Sequence, residues 1–479
     1  MISRKTGASA VRPSCLALAA TFLLMACGGE GSSATPTPTP VGSNSAPTFT
    51  SATTASIAEN STGAFYTAVA SDADGDAITL AIEGGADADL FAISGSQLRF
   101  SAPPNFDLPA DSDRDNAYQV TLRARDGRGG SADLALTVTV SNDREGIAVR
   151  RVATGLTDAV ALAAGEGATG LLVGFQNGEY LRIDGATGAA GARAKFGSIG
   201  VVSYELLDIL ERPGSGAYNG VFFLLRLEGS NALVVFRNSN LVLGSPANPE
   251  PVTGSLGFGP NGDIFVAFGA SNGADAQNEA SFFGKLFRVT NNPDPYAGAS
   301  CCRYFFAERV GRGVRSPHGL GLVNGMVAFT DRGADVADEV SAYPGSGYVN
   351  FGWPFFEGTQ RISDGEPASL TAPLAALPLG SDTRASAGLL GPVFYDGTAI
   401  DGLRDHVVFL DADGTVFSYD IDRNADGTVI GELQVEVRTE DFAPDAGSIE
   451  SPVAVVRDNE GTVYILDGDG ELFRVEAAT

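Results

Sequence analysis

The sequence predicts an all-β chain, and three observations carry that expectation. Of 479 residues 61 are glycine, and Gly or Asp-Gly turns punctuate most of the length. Long helical periodicity is absent, whereas short apolar runs of strand length recur. After residue 146 one device repeats six times: an apolar strand, a tight turn, a second apolar strand. A chain this long holds two or three domains and buries a large core. Its hydrophobic fraction of 44% against 19% charged residues is that of a globular protein. The 58 Asp and Glu against 31 Lys and Arg leave a formal charge of -27. Nucleic acid is thereby excluded as a partner, because its phosphates need clustered cations. Solubility and divalent cations are favoured instead.

The first element is a leader. Arg4, Lys5 and Arg12 precede the apolar run that starts at Cys15, which is short for a membrane span. Residues 1–26 are expected to be a secretory signal. Leu24-Met25-Ala26-Cys27 resembles the bacterial lipobox, which implies that Cys27 is acylated and becomes the mature N-terminus; an ordinary leader with an incidental Cys is the alternative. Gly28 in the next position implies export to the outer membrane or cell surface. Several acyl chains anchor firmly, at about 0.8 kcal/mol for each buried CH₂. Removing the leader would take the net charge from -27 to -30, with Lys195 and Lys285 the remaining lysines. No polybasic membrane patch survives. Residues 27–45, with the Thr-Pro repeat, read as an extended tether.

Residues 46–145 carry alternating runs at Ala77, Tyr118 and Asp133 separated by Gly and Asp turns, the pattern of a β-sandwich. Ala46-Pro-Thr-Phe49, Ala58-Glu59-Asn60, Asp72-Ala-Asp74-Gly-Asp76, Pro104-Asn-Phe106 and Ala124-Arg-Asp126-Gly127 resemble, in order, the bacterial cadherin-like (Ig-like) domain. The resemblance implies calcium held by Glu59, Asp74, Asp113, Asp126 and Asp143, and a module suited to cell adhesion and protein partners. Calcium takes six to eight oxygens in a flexible cage. Asp-Gly clusters are also ordinary turn residues, so both readings stand.

In residues 146–479 the six hairpins start near Leu171, Val221, Asp263, Met326, Val407 and Val463. Each alone would leave an apolar face wet, and radial repetition into a six-bladed β-propeller buries it. Residues 147–152 are placed to close the ring beside the last blade. Two stacked sandwiches are the alternative on spacing alone.

Leu256-Gly-Phe-Gly-Pro260, Phe283-Gly-Lys-Leu-Phe-Arg-Val289, Gly313-Val-Arg315-Ser-Pro317-His-Gly319, Thr330-Asp-Arg-Gly-Ala334 and Asn350-Phe-Gly-Trp-Pro354 resemble the glucose/sorbosone dehydrogenase propellers. These are soluble quinoproteins that oxidise sugars with pyrroloquinoline quinone (PQQ). The resemblance implies PQQ over the central channel and Arg315 at its quinone oxygens, where a guanidinium stabilises developing charge. Tying down a propeller loop is the other role open to Arg315. It also implies calcium on the backbone carbonyls of Gly333 and Ala334.

Two departures follow. The family's general base is a His five residues before Leu256, and that position here is Pro251, which accepts no proton. Glu250 is the titratable neighbour; His318 and His406 are the two histidines of the chain, with loop or structural roles expected. The family also meets the quinone's carboxylates with late-blade Lys and Arg, whereas Asp396, Asp411, Asp413 and Asp422 lie there, leaving Arg303, Arg309, Arg312 and Arg332 to compensate. The expected protein recognises a sugar or surface glycan without oxidising it; aldose oxidation through another base is the alternative. Three smaller features complete the reading. Cys301-Cys302 are either a vicinal disulfide or free or metal-touching thiols. The Asp422–Asp426 segment, with Glu432 one place short of a calcium loop, is expected to be a turn, and Trp353 to pack a blade.

Overall fold

The computed structural model describes residues 43–197, 202–212, 219–238, 240–291, 305–365, 369–380 and 384–479. The leader, residues 27–42 of the tether with Cys27, Arg303 and the Cys301-Cys302 pair lie outside the described residues. No helix among the described residues is long and apolar enough to cross a membrane.

The N-terminal unit is the expected sandwich. One sheet runs Thr54–Ala58, Ser131–Ser141, Ala117–Arg125, Thr79–Gly84, and the other Ala64–Thr67, Gln97–Phe100, Phe91–Ser94. Its first pair is parallel, with Ala55 opposite Val138. Period-two alternation sends Tyr118, Val120, Leu122 and Ala124 inward, where they meet Phe91, Leu98, Phe100, Leu136 and Val138.

The remainder is a ring of six sheets. Their innermost strands are Ala159–Ala164, Tyr204–Arg212, Gly254–Phe258, Pro317–Val323, Leu389–Tyr395 and Pro452–Arg457. Each touches the next, and the sixth touches the first. Six apolar clusters fill the wedges, one between each neighbouring pair of sheets. The hairpins read from sequence are the second and third strands of each blade. Ile147–Ala153 pairs antiparallel with Leu472–Ala477, Val149 opposite Val475, so the strand that leaves the sandwich completes the last blade. Trp353 packs on the cluster between the second and third sheets.

Arg438, 2% exposed, joins the two units. Its Nη1 donates to Asp107 of the sandwich at 2.7 Å, to Asp441 at 3.0 Å and to Glu145; its Nη2 reaches Glu436 at 2.8 Å. Asn142 donates to Asp441 at 2.7 Å, and Arg144 to the Asp441 and Ala443 carbonyls at 2.6 Å. His406 takes the structural role expected of it: Nδ1 lies on the Arg404 carbonyl and Nε2 is 3.3 Å from Glu436. Burial would raise the Glu436 carboxyl, but the His406 hydrogen bond and the Arg438 charge outweigh it and hold it at about 2. One guanidinium cannot neutralise so many acids. Burial pushes Asp107 up to about 9 against the pull of Arg438, with Asp441 and Glu59 adding to the rise.

Arg438→Met would leave these carboxylates facing one another, a loss of about 3–5 kcal/mol for a broken buried network. Thermal unfolding at pH 7 and protease cleavage at residues 142–146 should both report it. The Asp107 carboxyl titrates higher in the folded chain (about 9) than its ordinary 3.8, so the folded chain holds the extra proton and stability falls as pH rises between these values. Asp107→Asn is expected to flatten part of that slope.

Candidate functional site at the mouth of the channel

The inner strands surround a channel of about 640 Å³, walled by Leu162, Leu207, Leu256, Leu320, Leu390 and Val455 among others. The mouth where these strands begin is built by a repeated device. The second strands of the last three blades end in Phe329-Thr-Asp331, Phe409-Leu-Asp411 and Ile465-Leu-Asp467. Each Asp is buried and accepts backbone N–H groups from the segment before its own inner strand. Asp331 takes those of Arg315 and Ser316 at 2.9 and 2.5 Å, Asp411 that of Ala387 at 2.6 Å, and Asp467 those of Glu450 and Ser451 at 3.0 and 2.9 Å. Burial pushes Asp331 up to about 7 despite these bonds. The recurring apolar-x-Asp ending was legible in the sequence, but its role shows only when the inner strand lies beside it.

Asp331 fixes the loop that aims Arg315. The guanidinium Nη1 donates to the carbonyls of Arg332 at 2.7 Å and Gly333 at 2.6 Å. The Gly333–Ala337 loop is held from the other side by Glu357, 2% exposed, which accepts from the N–H groups of Ala334, Asp335, Val336 and Ala337 at 2.6–3.3 Å. A Cβ at position 333 would lie 2.0 Å from the Ala337 carbonyl oxygen, so this close approach requires glycine. Asp338 accepts from Gly333 N, Ser386 Oγ and Leu389 N.

This donor set does not fit the calcium expected on Gly333 and Ala334. The Gly333 oxygen already carries a guanidinium N–H, and the Glu357 and Asp338 oxygens are committed to amides and a hydroxyl. In this structure the Arg315 guanidinium holds the Arg332 and Gly333 carbonyls of the neighbouring loop.

Pro251 stands exposed ahead of the third inner strand, and Glu250 beside it is exposed too. Thr253 Oγ1 lies 3.2 Å from Ser316 Oγ on the neighbouring blade. His318 is half-buried in the channel wall with Nδ1 3.0 Å from the Ser316 carbonyl. A carbonyl only accepts, so Nδ1 carries the proton and Nε2 the lone pair. Burial, with Arg332 adding, pushes the imidazole down to about 3 and keeps it neutral. Asp208, unforeseen from sequence, binds Ser255 Oγ and Leu256 N at 2.8 and 2.7 Å and staples the second inner strand to the third. Of the arginines expected to compensate for late-blade acids, Arg309 and Arg312 are engaged by Glu279. Asp396 pairs with Arg457 at 2.9 Å. Asp426 takes Thr428 N at 2.9 Å in a turn, as expected of that segment.

The five sandwich acids do not share one cage. Glu59 accepts from Phe106 and Asp143 N–H at the end of the sheet that faces the propeller. Asp126 binds Asn44 at 2.6 Å and Asp74 binds Ser45 N at 2.7 Å at the opposite end. The strand Ala117–Arg125 separates the two ends, roughly 30 Å at strand rise. Asp113 belongs to a third place, with Asp111 and Asp115, and Asp74 to a triad with Asp72 and Asp76.

The geometry can be set beside known proteins. Residues 44–140 match the bacterial Ig domain. No curated protein matches the chain. Among solved structures a glucose dehydrogenase is 22% identical, with 69% of this chain and 99% of that one covered and a TM-score of 0.49. The PQQ-bound aldose sugar dehydrogenase of Streptomyces coelicolor is 19% identical, covering 69% and 98%, TM-score 0.47. The apo soluble aldose sugar dehydrogenase of Escherichia coli is 19% identical, covering 69% and 99%, TM-score 0.49.

Glu357→Gln would replace one of the two acceptor oxygens by an NH₂ donor set against backbone N–H donors. The expected cost is about 2–3 kcal/mol, read by denaturant unfolding, with new protease cleavage at residues 333–337.

Proposed function

We propose that this chain is a lipid-anchored protein of the bacterial outer membrane or cell surface whose propeller binds a sugar at the channel mouth without oxidising it. The observation that carries the reading is the mouth itself. Pro251 stands where the resembling family has its base, and the Arg315 guanidinium sits on the Gly333 carbonyl expected at calcium. Hydroxyl and imidazole groups of Thr253, Ser316 and His318 above an apolar channel suit a polyol with a nonpolar face. Purified mature chain, supplied with PQQ and calcium, is expected to reduce no dye above its quinone-free rate across an aldose panel. Calorimetry on the same preparation is expected to register sugar binding. Turnover with any aldose would reject the reading.

His318 favours a second reading, oxidation through a displaced base, since its neutral ring offers an Nε2 lone pair. In that case dye reduction occurs and His318→Gln abolishes it.

Calcium on the sandwich belongs to the same proposal, at Asp111, Asp113 and Asp115 rather than across the five acids. Their ligand oxygens lie within 4.8 Å of one another. Asp111 is 3% exposed, and its Oδ1, like the buried Oδ1 of Asn116, has no hydrogen-bond donor. Millimolar calcium should raise the unfolding temperature of the full chain by a few degrees, and Asp113→Asn should remove the rise. No shift in the wild-type chain would discard the site.

A further inference from the structure

Most guanidinium groups that face this acid-rich chain's interior meet a carboxylate: Arg438 meets several, Arg151 meets Glu471, Arg226 meets Glu205 and Arg288 meets Asp263. Arg332, at the channel mouth, does not. Its Nε donates to the Leu389 carbonyl at 3.2 Å and its backbone N–H to the Ser316 carbonyl at 3.1 Å. Its guanidinium lies over Gly388, where a Cβ would come within 3.0 Å of Cζ. Among the described residues no carboxylate lies within salt-bridge distance of its terminal nitrogens, and no acceptor engages them. The acids close enough to stabilise it, Asp338 and Asp411, have their oxygens on the N–H groups of Gly333, Leu389, Ala387 and Ala412 and on Ser386 Oγ.

A half-buried guanidinium whose terminal nitrogens have no partner is unfavourable, and a planar pair of N–H donors is the complement of a carboxylate. With 58 acids in the chain, composition supplies ample partners, and this position uses none. Beside it stands the neutral His318, whose Nε2 accepts a hydroxyl proton, and below both lies the apolar channel wall. We infer that Arg332 anchors a carboxylate-binding subsite at the channel mouth, and that the ligand is a sugar carrying a carboxylate, a uronic acid, with its hydroxyls toward His318. The inference rests on the reading of this mouth as a sugar site and names the class of sugar. PQQ also carries carboxylates, so the chemistry has two sources and the test must separate them.

Isothermal titration of the full mature chain with glucuronate, galacturonate, glucose, galactose and PQQ, at low and at 0.5 M salt, supplies that separation. Uronates are expected to bind at least tenfold more tightly than their neutral counterparts, and to weaken with salt. Arg332→Met should bring uronate down to the neutral-sugar level, and Arg332→Lys should restore part of the difference. Without ligand, Arg332→Met should unfold at the same temperature as the parent chain or higher, because it removes an unpaired charge; a purely structural Arg would give a fall. Equal binding of uronate and neutral sugar overturns the carboxylate subsite and leaves the sugar reading standing. Binding of PQQ alone, lost in Arg332→Met, keeps the subsite and overturns the sugar reading. No binding of any carboxylate overturns the subsite outright.

Discussion

Closure of the ring is the constraint on which the rest of the molecule depends. Every blade buries its two faces against its neighbours, so the six apolar clusters exist only if the last sheet meets the first. That meeting uses Ile147–Ala153, the strand that emerges from the sandwich, zipped to Leu472–Ala477. The sandwich is therefore fastened to the seam of the propeller by the chain itself. Arg438 then closes the remaining angle between the units with bonds to Asp107 and Glu145 on one side and Glu436 and Asp441 on the other. Covalent continuity at the seam and a buried ionic contact beside it hold the pair as one body.

The same contact shows how so acidic a chain folds. Where oxygens converge, a side-chain cation from the chain itself fills the place a metal ion could take. Arg438 does so among carboxylates, and Arg315 on the Arg332 and Gly333 carbonyls. Lys285, fully buried, does so on the carbonyls of Asp275, Ala276 and Phe283 at 2.8–2.9 Å, with burial pushing its ammonium down to about 8. Other buried acids take backbone N–H groups instead, as Asp331, Asp467 and Glu357 do. Internal cations and amides thus satisfy carboxylates in the propeller that a composition argument alone would assign to calcium.

Much of the fold was legible because periodicity and turns are local. The six hairpins from Leu171 to Val463 stand as the middle strands of the six blades, and the closing strand lies where the sequence placed it. The inner strands were harder to see. Gly254–Phe258 and Pro317–Val323 line a narrow channel, and the small residues and Pro needed there break the alternation that marks a strand. The site was less legible still. Glu59 and Asp126 share a sequence pattern but sit at opposite ends of one sheet, and pattern carries no such distance. Arg438 is a lone Arg among acids in Glu436-Val-Arg-Thr-Glu440, and nothing local announces that Asp107 will arrive from another domain.

These facts bear on what the mouth can recognise. Elsewhere the chain satisfies guanidinium groups with carboxylates, as at Arg438, or with backbone carbonyls, as at Arg315 and Arg144, so terminal nitrogens that meet neither are informative in proportion to how easily they could have been avoided. Arg332 occupies the residue after the second strand of its blade, a place held by Gln176, Glu228, Gly269, Ala412 and Gly468 in the others, where the same backbone bond to the residue ahead of the inner strand is made without a cation. The fold does not require a cation at that point. Asp338 and Asp411 stand near enough to lower the cost of burying one, yet their lone pairs are spent on N–H groups, so they stabilise the charge without quenching its donors. A guanidinium supported at a distance and left open at its edge is the arrangement that binds an incoming carboxylate rather than one that completes a loop.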